Sequence, residues 1–162
     1  MMPEGNMDSL KEIHHKLAIE TNNQVWDLLD KKTRTPQEEQ EMLVAVYASL
    51  YHWNQVGTAA NTQRGYWMLS RVYLALNRPA DALDWALKCQ EITDNKSSEM
   101  EDFDLAFAQE GLARAYAITG DLDQARYHYD QAYALGKQIK DLEDKEIFTN
   151  NLKGGNWFHF SP

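Results

Sequence analysis

Apolar residues in this chain return every three to four positions and almost nowhere at every second one, the period of helices rather than strands. Leu10, Ile13, Leu17, Val25, Leu28 and Leu29 form the first stripe and predict a helix over about 8–31. "TRTPQEEQ" then closes one helix and opens another. Thr35 suits the N-cap, Pro36 the first helical position, and Glu38 completes a capping box. The second helix carries Met42, Leu43, Val46, Tyr47, Leu50 and Trp53 to "NQVG". A third runs from about 59 to Leu76, where Asn77 can turn left-handed and Pro79 can start a fourth. The fourth gives way to the polar "EITDNKSSE", and a fifth over about 99–119 stops at Gly120. Asp121 caps a sixth, with Gln124 placed to return the bond, and a seventh over about 141–152 ends at Gly154-Gly155. The short turns predict antiparallel hairpins in an all-α chain.

The third and fourth helices repeat in the fifth and sixth at an offset of 43. Leu69, Ser70, Tyr73, Asn77 and Ala82 recur as Leu112, Ala113, Tyr116, Gly120 and Ala125. Small residues fall where two helices must cross closely. The later copy reads Gln109-x2-Leu112-Ala113-x2-Tyr116, then Ala125-x3-Tyr129 and Ala132. The earlier reads Tyr66-x2-Leu69-Ser70-x2-Tyr73, then Ala82-x3-Ala86 and Cys89. Both resemble the tetratricopeptide pattern W-x2-L-G-x2-Y followed by A-x3-F, the later copy with Gln in place of Trp. Neither has the closing Pro, and about nine residues beyond the family's period fall in "DNKSSEMED". The whole chain also resembles bacterial tetratricopeptide-like proteins, a likeness that brings no activity with it.

The resemblance implies a short right-handed α-solenoid of about seven helices in one domain over 1–162. Within it, 8–56 is a divergent hairpin, 59–92 a weaker repeat, 99–138 a clear repeat, and 141–162 a capping helix with an aromatic tail. Three helical pairs are needed to bury a stacked core, and the divergent hairpin supplies the third.

Composition narrows the function. The chain has 162 residues and a net charge of −9, with no basic run longer than Lys31-Lys32, which disfavours nucleic acid. No apolar run approaches the ~20 residues of a membrane span. "MMPEGNMDSL" has neither the basic flank nor the apolar stretch of a secretory leader. A single cysteine, Cys89, fits a reducing cytoplasm, and its place opposite Ala132 in the repeat predicts a buried, unreactive thiol.

No phosphate loop, HExxH, CxxC or nucleophile elbow is present, and no cofactor is expected. His14, His15 and His52 can meet if the first two helices pair, with Glu20 as a further metal ligand. The plainer reading leaves His14 and His15 solvated and His52 hydrogen-bonded inside. His128 reads as a surface residue, and Trp26 and Trp85 as core.

Arginines offer more. Arg64, Trp67 and Arg71 share one helix face at i, i+3, i+7, and Phe107, Glu110 and Arg114 repeat it at the same offset. In the tetratricopeptide family this face lines the peptide-receiving groove. Planar cations beside aromatic surface suit a carboxylate-bearing or peptide ligand. The competing reading is internal: Glu110 pairs with Arg114 along its own helix and with Arg71 across the groove. Trp157, Phe158 and Phe160 in "NWFHF" either cap the last helical pair or enter a groove, their own or a neighbour's. These residues together suggest a non-enzymatic module that binds a protein or peptide, an acidic one by the arginines. An enzyme around His52, or an oligomer joined through the aromatic tail, are the alternatives.

Overall fold

The computed structural model describes residues 4–162, with side chains from residue 8 onward; the start of the amino-terminal stretch, including Pro3, lies outside them. Seven α-helices follow one another: α1 Glu4–Leu29, α2 Pro36–Val56, α3 Ala59–Ala75, α4 Pro79–Asn95, α5 Asp102–Thr119, α6 Leu122–Gln138 and α7 Leu142–Lys153. A single 3₁₀ turn, Ser97–Glu99, interrupts the connector before α5, so α5 starts three residues later than its periodicity suggests. The helices form sequential hairpins, α1 with α2, α3 with α4 and α5 with α6, while α7 lies against α5 and α6.

Local chemistry sets the boundaries. Thr35 and Glu38 form the expected capping box. Asn77 takes φ 54° and Gly120 φ 86°, the left-handed ends that close α3 and α5. Asp121 caps α6 by accepting from the Gln124 backbone N–H. The return bond expected from the Gln124 side chain does not form, because the Asp121 N–H already donates to the Tyr116 carbonyl.

Leu69, Ser70 and Ala82 are buried in the first repeat, as are Leu112, Ala113 and Ala125 in the second. Ser70 shows how close the crossing is: its hydroxyl donates to the Ala82 carbonyl at 2.8 Å, joining α3 to α4. Cys89 and Ala132 are both buried. The α1 stripe needs correction. Leu10 and Ile13 are exposed, and Ala18 and Val25 carry the buried seam, because α1 overruns the face that α2 can cover. Among the described residues, no helix is long and apolar enough to cross a membrane.

Candidate functional site: the α3–α5 groove

The face on which α3 and α5 lie side by side brings together all six residues singled out by the offset. Arg64 donates through Nε and Nη2 to the two Asp104 oxygens at 2.8 and 3.0 Å, a bidentate pair. Trp67 Nε1 donates to Glu110 Oε2 at 2.9 Å, and Arg71 Nη1 to Glu110 Oε1 at 3.2 Å. Arg114 Nε donates to the same Glu110 Oε1. Phe107 meets Trp67 edge-on, ring centroids 5.3 Å apart. Gly111 permits the crossing, since a Cβ there would stand 3.2 Å from Trp67 Cδ1.

Glu110 is thus a buried carboxylate held by two guanidiniums and an indole. Burial pushes its carboxyl up, but Arg114, Arg71 and the hydrogen bonds outweigh that and hold it below the ordinary carboxylate range. Burial lowers Arg71 against the pull of Glu110. The gap between α3 and α5 along this ladder has no room for a water molecule. Arg114 is 1% exposed, so its head does not face solvent as a ligand-binding arginine would.

Arg114 is also held by the chain's own carboxyl-terminal segment. Its Nη1 donates to the Asn156 carbonyl at 2.8 Å, and its Nη2 to the Asn151 and Gly154 carbonyls at 2.6 and 2.9 Å. The Trp157 ring covers the guanidinium, 4.0 Å from its centroid. Gly155 makes the approach possible: it has φ 73°, and a Cβ would lie 3.1 Å from Arg114 Nη1. Trp157 and Phe160 pack on Tyr129 of α6, while Phe158 lines a hollow of about 330 Å³ with Trp26, Arg34 and Arg71. The tail therefore caps the last pair and reaches into its own groove at once.

Beyond the ladder the groove opens into a cavity of about 520 Å³. Trp26, Trp53, Trp67, Phe103 and Phe107 wall it, with Arg64 and Asp104 on one side and Asn22 and Asn151 among its polar lining. Trp26 is not core: it stands 36% exposed at the cavity, tilted against Trp67 at 6.1 Å.

Asp104 and Asn151 were not among the residues the sequence singled out, and Trp53 was read only as part of the second helix's apolar stripe. Asp104 carried a faint signal, three residues after Glu101 at the start of α5, where its side chain accepts from the Glu101 N–H.

Two of the histidines pair with each other. His14 Nδ1 and His52 Nδ1 lie 2.8 Å apart, a hydrogen bond in which one ring accepts, and His15 meets Trp53 edge-on. Among the described residues, no three His, Cys, Asp or Glu side chains gather as ligands. His128 is half-buried rather than on the surface, stacked on Tyr116 and bonded to Gln109, and burial lowers its pKa.

Residues 63–88 and 106–131 match the family described as tetratricopeptide repeat. The two matched segments fall within the hairpins α3–α4 and α5–α6. No curated protein and no solved structure matches the chain.

Proposed function

We propose that this chain is a non-enzymatic module whose α3–α5 groove receives a peptide segment of a protein partner. The observation that carries the reading is the open, aromatic-walled cavity of about 520 Å³ on the face that joins the two repeats. Tetratricopeptide repeats typically mediate protein binding. The groove end already holds a turned segment of its own chain, residues 154–160, through Arg114 and the carbonyls it faces. We read residues 1–162 as one such module and place its binding in the cytoplasm, in keeping with the lone buried Cys89. An acidic partner would depend on Arg71, whose side chain keeps 23% exposure and one ion pair.

Selection of displayed random peptides against the wild-type protein tests this, with Ile147→Glu as control. Ile147 lines the cavity yet is 55% exposed, so a charge there obstructs the site without entering the core. A consensus enriched on wild type and lost on the variant is expected. No enrichment over the variant would contradict the reading.

A further inference from the structure

The groove's charges are already paired. Arg64 satisfies both Asp104 oxygens, and Glu110 takes Arg71 and Arg114. Arg114 has its remaining donors on backbone carbonyls. An acidic segment in the cavity would lose its hydration and find Arg64, the guanidinium on the wall, already engaged. What the cavity offers is ring faces: Trp26, Trp53, Trp67, Phe103 and Phe107, with Ile147 beside them. Its volume matches sites that enclose a bulky side chain together with some backbone.

The seated tail shows how a segment is held at the end of this groove, with carbonyls bonded by Arg114 and the Trp157 ring laid over its cation.

We infer that the cavity takes an aromatic or large apolar side chain from an uncharged partner segment. This rests on the peptide-binding reading and names the class of segment it takes.

The test titrates the wild-type protein with N-acetyl-tryptophanamide and, separately, with the α-amide of N-acetylglutamate, followed by ligand-observed NMR. The tryptophan amide should bind saturably and the glutamate amide should not. Ile147→Glu should weaken the tryptophan amide by about tenfold or more. Asn22→Lys, on the cavity lining, is a second obstructing variant should the first fail to fold. Preference for the glutamate amide, no binding of either, or equal binding to wild type and a folded obstructing variant would each overturn the inference. A displayed-peptide consensus that depends on Ile147 but is acidic would overturn it and leave the peptide-binding reading standing. Absence of any consensus would remove that reading itself.

Discussion

Trp67 donates its indole N–H to Glu110 at 2.9 Å, and the two residues are 43 positions apart, the offset that relates one repeat to the next. Equivalent positions in successive repeats therefore touch, because α3 and α5 lie side by side. Arg71 and Arg114 share the same relation and meet at the same carboxylate. The ladder is the seam between repeats and the floor beside the cavity.

That seam should be costly to break. Arg114→Ala removes one of the two cations on buried Glu110 and leaves three carbonyl contacts open, so a loss of roughly 3–5 kcal/mol is expected. Arg71 is less buried and makes a single bond to Glu110, so Arg71→Ala should cost about 1.5–3 kcal/mol. Thermal melts of the two variants should rank them in that order. Equal, near-native melts would show that the ladder contributes little.

The seam also predicts a pH dependence. A carboxylate held below its unfolded value adds stability above an ordinary pKa of about 4.3, and that stability is lost as pH falls through the folded value. Glu110→Gln should therefore melt well below wild type at pH 7. The gap should narrow as pH drops below about 4. A gap of constant size down to pH 3 would contradict the assignment of a charged Glu110.

Cys89 is 1% exposed, and burial pushes its thiol well above the ordinary cysteine range. Labelling by a disulfide reagent should be slow in the native protein and immediate in denaturant. Rapid native labelling would mean that α4 opens locally.

The tail sits on its own chain, so it should stabilise the fold rather than join copies. Trp157→Ala removes a buried ring from Tyr129 and Arg114 and should cost about 3–5 kcal/mol. Gly136→Ala should act on the same end, since a Cβ would overlap the buried Phe148 ring and push α7 away, at about 1–3 kcal/mol. Light scattering should give the same mass for wild type and Trp157→Ala. A drop in mass for the variant would assign the tail to assembly.

Much of the fold was legible locally. Thr35, Asn77, Gly120 and Asp121 mark helix ends through their own backbone and capping chemistry, so they read directly from sequence. The Glu110 ladder was legible as one of two alternatives, because a fixed offset places Arg71, Glu110 and Arg114 together without saying how deeply they are buried. The depth of Arg114 depends on the end of α7 and the tail, whose carbonyls at 151, 154 and 156 accept from it beside Gly155 and its left-handed φ. No pattern of side chains announces a backbone acceptor. Trp26 escaped for a related reason: its spacing fits a core stripe, but α1 meets α3 across the cavity rather than along a closed seam.

The chain's five tryptophans allow the most direct test of the groove as the receiving site. Trp26, Trp53 and Trp67 line the cavity; Trp85 packs on Tyr47 and Tyr66, and Trp157, in the tail, packs on Tyr129. In ¹⁵N-correlated spectra, titration with a peptide enriched by display should shift the indole signals of Trp26, Trp53 and Trp67 together and leave Trp85 in place. A shift at Trp85 with the three cavity indoles unmoved would contradict the account.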